Sequence, residues 1–186
     1  KEEFRVEFIY GLTLQRLKRP TDAAMALERA ISINPKNADA LSALGLVYDE
    51  LKRHPDSDTM YERALRLSPN NSLVLNNYGY SLADRNEQLE RAETMLKKAL
   101  EQQPNNQSYL DSMGWIYFRL GNYEEAERYI KKAIDLGTNS AVVFEHLGDV
   151  YSKMNQKEKA QEYWKKALDL DSNNQALKDK IQRGEL

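Results

Sequence analysis

Histidine, carboxylate and large aromatic side chains carry what chemistry this sequence has to offer, and their spacing decides what kind. His54 and His146 stand 92 residues apart with no cysteine in the chain, so they form no recognisable zinc-type ligand set. No glycine-rich phosphate loop and no nucleophile–base arrangement can be found. No catalytic residue, metal or cofactor is therefore expected, and the chain reads as a non-enzyme. What remains is surface chemistry. In "YLDSMGWIYFRLGNYEEA", Tyr109 to Ala126, the residues Leu110, Met113, Gly114, Tyr117 and Leu120 make an apolar helical stripe. Trp115 and Phe118 project from the flank of that stripe, where they could grip another molecule.

Composition narrows the classes. Of 186 residues 30% are charged and the net charge is -2, which lacks the basic footprint of a nucleic-acid binder. No apolar run approaches the roughly 20 residues of a membrane span, so no membrane insertion is expected. The absence of cysteine fits a reducing or an oxidising compartment equally. "KEEFRVEFIYG" enters an amphipathic pattern at once, as an excised fragment of a longer protein would, and a leader could have been lost.

The elements that must position these groups are repeats. Gly11, Gly45, Gly79, Gly114 and Gly148 are separated by 34, 34, 35 and 34 residues. Ala23, Ser57, Ala92, Ala126 and Ala160 follow the same step, as do Ala30, Ala64, Ala99, Ala133 and Ala167. In both later series the 35 falls one interval earlier, so the extra residue lies in "ADRNEQLERA", a lengthened turn. A mid-helix glycine costs about 0.5 to 1 kcal/mol relative to alanine. Five in step imply a compensating close approach of a first helix to the small alanine of a second. Leu27, Tyr61, Leu96, Ile130 and Trp164 then fill the gaps. "INPKNA", "LSPNNS" and "QQPNNQ" place a proline beyond a helix end and an asparagine N-cap before the next start. Pro20 and Pro55 suit the first turn of second helices.

This pattern resembles the tetratricopeptide repeat, a 34-residue helix-turn-helix unit. The motif positions are carried by Met113, Gly114, Tyr117, Ala126 and Ile130, then by Phe144, Leu147, Gly148, Tyr151, Ala160 and Trp164. Pro35, Pro69 and Pro104 take the motif proline, whereas Thr138 and Ser172 replace it later and Ser57 replaces an alanine. The resemblance implies an all-α, right-handed α-solenoid of five units, at about 4–37, 38–71, 72–106, 107–140 and 141–174. "QALKDKIQRGEL", 175–186, would be a polar helix capping the array. At the other end Phe4 and Phe8 have no visible cap, so end-to-end self-association is an alternative to a monomer.

The resemblance further implies that first helices line a concave groove. The residues there that could contact a partner are Leu46, Asn76, Tyr80, Asp111, Trp115, Phe118, Arg119, Glu145 and Asp149. One row, Leu12, Leu46, Tyr80, Trp115 and Asp149, repeats at the period. Central aromatics anchor interfaces, and flanking acids favour a protein or peptide partner with basic and apolar residues. The expected function is thus an interaction scaffold holding a partner peptide or helix. The alternatives are a helical-repeat RNA-binding module, which the acids oppose, and a self-associating array.

A carboxylate clamp for chaperone C-termini is not expected. Its positions here hold Phe8, Leu12, Asn77, Ser108 and Ser112, and only the asparagine matches. Lys97, Lys98, Lys131, Lys132, Lys165 and Lys166 form a stripe on second helices, but Glu93, Glu127 and Glu162 stand four residues before three of them, as in a solvated face. "VLNNYGYSLADR" and "FEHLGDVYSKM" resemble the C-terminal repeats of large bacterial members, many of them exported, so a bacterial source and a cytoplasmic or periplasmic, envelope-associated location are expected.

Overall fold

The computed structural model describes residues 1–185. Among them the regular structure is entirely helical: α1 (Glu2–Arg16), α2 (Pro20–Ile33), α3 (Ala38–Glu50), α4 (His54–Leu67), α5 (Ser72–Asp84), α6 (Leu89–Gln102), α7 (Gln107–Arg119), α8 (Tyr123–Asp135), α9 (Ala141–Lys153), α10 (Lys157–Leu170) and α11 (Gln175–Arg183). None of these helices is long and apolar enough to cross a membrane. Two compact units are formed, with their boundary inside α5 between Leu82 and Ala83. In the first, α1 packs on α2, α2 on α3 and α3 on α4. In the second, the same chain of neighbours runs from α6 to α11.

The helix ends follow their side chains. Asn37, Asn71, Asn106, Asn122 and Asn174 each accept a hydrogen bond from a backbone N–H of the first turn that follows. The prolines of α2 and α4 lie in the first turn, where no donor is missed. First helices close differently, with a left-handed residue at Lys18 (φ 58°), Lys52 (φ 60°), Asn86 (φ 58°), Gly121 (φ 78°) and Asn155 (φ 58°). At four of these ends the next N–H reaches back five residues, for example Arg53 N to Tyr48 O at 2.8 Å and Gln156 N to Tyr151 O at 2.8 Å. The extra residue of "ADRNEQLERA" shows as a second left-handed position in the same turn, Gln88 (φ 45°).

The glycines nest against large residues. A Cβ built on Gly11 would lie 2.7 Å from Leu27 Cγ, on Gly45 3.0 Å from Tyr61 Cζ, on Gly114 2.4 Å from Ile130 Cγ1, and on Gly148 2.4 Å from Trp164 Cδ1. The expected meeting of glycine with the small alanine is thereby corrected. The alanine contributes its carbonyl at the edge, as Ala126 O does at 3.1 Å from the Gly114 position. The bulky side chain four residues on fills the notch. Leu27, Tyr61, Ile130 and Trp164 are fully buried as a result.

In the second unit, Ile130, Leu147, Val150, Trp164 and Leu177 share one core. Leu177 belongs to α11, whose Ile181 packs on the same cluster while Gln175, Lys178, Asp179, Gln182 and Arg183 face solvent. Helix α11 covers the apolar face of α9 and α10 with a short stripe and leaves a polar outer side.

Gly148→Ala must displace an indole and is expected to cost about 1–3 kcal/mol, the range for overpacking a core. Gly45→Ala, which meets only the tip of a phenol ring, should cost less. Chemical denaturation of the two variants beside the parent chain decides the order.

Candidate partner-binding surface

In the first unit, Leu46 and Tyr80 are half-buried on α3 and α5, with part of each side chain open. Asn76 is buried, its Nδ2 donating to Asn77 Oδ1 at 3.2 Å, and Asn77 Nδ2 donates in turn to the buried Ser42 Oγ at 3.2 Å. Asn76 is thus held inside a polar chain between first helices. Its Oδ1 has no hydrogen-bond partner.

In the second unit the expected exposed ridge is a packed column. Trp115 is only 8% exposed. Its ring is stacked on Phe118 at 4.7 Å and on His146 of α9 at 4.2 Å. Phe118, half-buried, also touches Tyr123 at 5.7 Å. Arg119 lies 5.7 Å from the indole centre and donates from Nη2 to Asp84 O at 3.0 Å. The α7 stripe read from sequence also needs correcting: Ile116 is fully buried, whereas Leu120 is 38% exposed. Both flanks of α7 are covered because α8 packs on one side and α6 and α9 on others.

The acids of this unit are matched internally. Asp111 and His146, both buried, face each other with Nδ1 at 3.0 and 3.1 Å from the two carboxylate oxygens. Lys180 of α11 donates to Glu145 at 2.7 Å and to Asp149 at 2.8 and 2.9 Å. Asp149 additionally accepts from Trp164 Nε1 at 2.8 Å. Burial alone would lower the pKa of His146, but the charge of Asp111, their hydrogen bond and the charges of Asp149 and Glu145 outweigh it, and the pKa is raised. Burial raises that of Asp149 despite the opposing charge and hydrogen bond of Lys180. Desolvation would lower that of Lys180, but the charges of Asp149 and Glu145 and the hydrogen bonds to them together outweigh it, and the pKa is raised.

Asp111, Glu145 and Asp149 are therefore fixed in place, not free charges awaiting a partner. Sequence reasoning missed His146 and Lys180 as their counterparts. The signal was present: Asp111 to His146 and Glu145 to Lys180 are both 35 residues, which sets adjacent helices side by side. On the second helices, Lys97, Lys131 and Lys166 pair with Glu93, Glu127 and Glu162 at 2.8, 3.7 and 2.6 Å, as a solvated face would. Glu93 and Glu127 also accept from Tyr117 and Tyr151 of the following first helices, each at 2.9 Å.

The profile described as the cytochrome c-type biogenesis protein H TPR domain matches residues 21–140, more than half of the sequence. The chain belongs to the tetratricopeptide-repeat family. A general tetratricopeptide-repeat profile matches residues 116–173. Among curated proteins none matches this sequence. Solved structures of similar fold include a thermophilic TPR protein of Thermus thermophilus, with TM-score 0.83 and 22% identity over 97% of this chain and 98% of that one. PilW, a type IV pilus biogenesis factor, gives TM-score 0.81 and 22% identity over 99% and 86%. Pseudomonas aeruginosa PilF gives TM-score 0.74 and 23% identity over 98% and 89%. With its helix pairs and the notched glycines, this tetratricopeptide-repeat chain is an all-α solenoid of the kind these structures display.

Trp115→Ala should cost the tetratricopeptide fold about 3–5 kcal/mol, the range for removing a buried large aromatic, as read by denaturant unfolding. A loss below about 1 kcal/mol would place Trp115 on the surface instead. For His146, a raised folded pKa means that its contribution is complete below the ordinary value of 6.5 and is lost as pH rises through the folded value. The raised values of Asp149 and Lys180 have the same sign but other windows: the contribution of Asp149 starts to fall as pH rises above 3.8, and that of Lys180 only above 10.5. Melting temperature is expected to fall as pH climbs from about 6 toward 9, and His146→Gln should flatten the lower part of that curve.

Proposed function

We propose that this chain works as a protein-interaction scaffold that holds an extended peptide or a helix of another protein along its first helices. The reading rests on one observation: family membership combines with first-helix side chains that are only half-buried once packing is complete. Leu46 and Tyr80 in the first unit, and Phe118 and Arg119 in the second, are in that state, with the half-buried Tyr123 of α8 beside Phe118. Trp115 serves as the wall on which Phe118 rests. Asp111, Glu145 and Asp149 hold neighbouring helices together and shape the surface from beneath, and Asn76 lies buried against Asn77 of its own helix.

The partner's chemistry follows from what is left. With Asp111 paired to His146 and with Glu145 and Asp149 sharing Lys180, the second unit's acids are engaged internally and offer little to select for lysine or arginine. Apolar contact and hydrogen bonding to Arg119 carry more of the recognition. PilW is described as a pilus biogenesis factor and the matching profile as a cytochrome c biogenesis domain. Both descriptions support a role in assembling other proteins.

A displayed library of random peptides, selected on the parent chain and re-tested by calorimetry, checks the proposal. Tyr80→Ala and Phe118→Ala are expected to weaken selected peptides about tenfold or more, roughly 1.4 kcal/mol, at a temperature where circular dichroism shows both variants folded. Equal affinity for parent and both variants removes these residues from the binding surface.

A further inference from the structure

The charges that α7 and α9 leave uncommitted have the opposite sign from the one their composition suggests. The carboxylates of these two helices are Asp111, Glu145 and Asp149, and all three are engaged by His146 or Lys180. The cations that remain are Arg119 and Lys153. Each is the last residue of its helix, one repeat apart. The helices run side by side, since Asp111 meets His146 and Trp115 stacks on the same imidazole.

Neither cation is paired with an acid. Among the described residues the exposed Lys153 makes no hydrogen bond or ion pair, and Arg119 enters no salt bridge. Asp84 meets Arg119 through its main-chain oxygen, not its carboxylate. On α8, Glu125 is held by Arg128, and Glu124 lies in a trough with Arg128, Lys131 and Lys132.

A cation in the last turn of a helix is favourable without any partner, but that does not account for the state of Arg119. The residue is half-buried, and among the described residues its one hydrogen bond runs from Nη2 to Asp84 O at 3.0 Å. Its Nε is buried without an acceptor. A buried donor left unpaired is costly, and a carboxylate that draws the guanidinium outward relieves it. Arg119 also adjoins the aromatic column: the guanidinium carbon is 5.7 Å from the Trp115 ring centre, while Phe118 stacks on that ring and reaches Tyr123. An apolar grip and an unpaired planar cation thus stand together.

Resting on the scaffold reading, we infer that the segment held by the second unit is acidic. It is an internal stretch of a partner chain that sets an apolar side chain against Phe118 and Tyr123, an aspartate or glutamate on Arg119, and a further acid within reach of Lys153. Arginine meets a carboxylate with two parallel N–H···O bonds, so the contact is directed and short-ranged. Axes of helices packed side by side are about 8–10 Å apart, a spacing that suits two side-chain carboxylates better than one chain terminus.

Peptides selected from a displayed random library and resynthesised with amidated C-termini test this by calorimetry on the whole 186-residue chain. Those weakened by Phe118→Ala are expected to carry Asp or Glu within two residues of an apolar one. Arg119→Gln, and replacement of that acid by its amide, should each weaken binding about tenfold, and both together no more than either alone. Lys153→Gln should weaken it about threefold. Arg119→Glu should prefer the peptide with lysine at the acidic place. Equal losses of the acidic and the amide peptide in Arg119→Gln assign Arg119 to holding α5 and overturn the pairing. Affinity confined to peptides with a free terminal carboxylate overturns the internal segment. Phe118-dependent peptides without an acid overturn the inference and leave the scaffold reading standing, whereas a library that yields no binder overturns both.

Discussion

In four of the helix pairs a large side chain of the second helix occupies a notch that only a glycine on the first helix can provide, and the rest of the structure depends on that fit. Leu27, Tyr61, Ile130 and Trp164 differ greatly in volume, yet all sit within contact distance of where a Cβ would be on the paired helix. The glycine's cost of about 0.5–1 kcal/mol in helix propensity is offset by burying a side chain worth about 1.5–3 kcal/mol or more. With the notch fixed, the crossing of each pair is fixed, and the flanking positions of the first helix must face the neighbouring first helix. The constraint is steric, so it is satisfied by any bulky partner. This is why the repeat tolerates four different residues there but keeps its glycines.

From this geometry follows a set of polar contacts between successive helices of each unit's inner row. Three residues before the glycine stand Ser42, Asp111 and Glu145; the residues meeting them 35 positions later are Asn77, His146 and Lys180. Each pair is at least partly removed from water, and burying such groups costs free energy unless they are hydrogen-bonded. Their value lies in fixing which helix goes beside which, since a slipped neighbour would strand a carboxylate. For α11 this matters most. Its apolar stripe is little more than Leu177 and Ile181, and Lys180 between two acids gives it an orientation that those two residues alone would not.

The asparagine caps, the first-turn prolines and the lengthened turn were legible in the sequence, because each is a local property of a few consecutive residues. The extra residue announced itself as a change of period and appears as the second left-handed position at Gln88. The state of the first-helix row was not legible. Leu46 and Tyr80 stay half-buried while Trp115 and Asp149, at the same position of their repeats, are enclosed. Period assigns a position, but burial depends on which side chain the next helix of the row puts opposite it. For Trp115 that is the flat ring of His146 at 4.2 Å, and for Asp149 it is the ammonium of Lys180. Glycine's partner was misread for a related reason: the small alanine nearby in sequence pattern offers its carbonyl, and the bulky residue one turn on reaches the notch.

These pairings also alter what kind of recognition the second unit can perform. Three carboxylates near a groove would, if free, raise the local concentration of a basic ligand and make its binding sharply dependent on salt. Matched to His146 and Lys180 at 2.7 to 3.1 Å, they present closed dipoles instead of open charges. On the proposed scaffold reading, apolar area and a few directed hydrogen bonds would then dominate, which favours a partner chosen by shape and spacing over one chosen by charge. The same side chains that lock the helices together thus remove the electrostatic selectivity their composition suggests. In a repeat protein the inner surface that binds and the contacts that stack are drawn from adjacent positions of the same helices, so strengthening one set of contacts changes what the other can recognise.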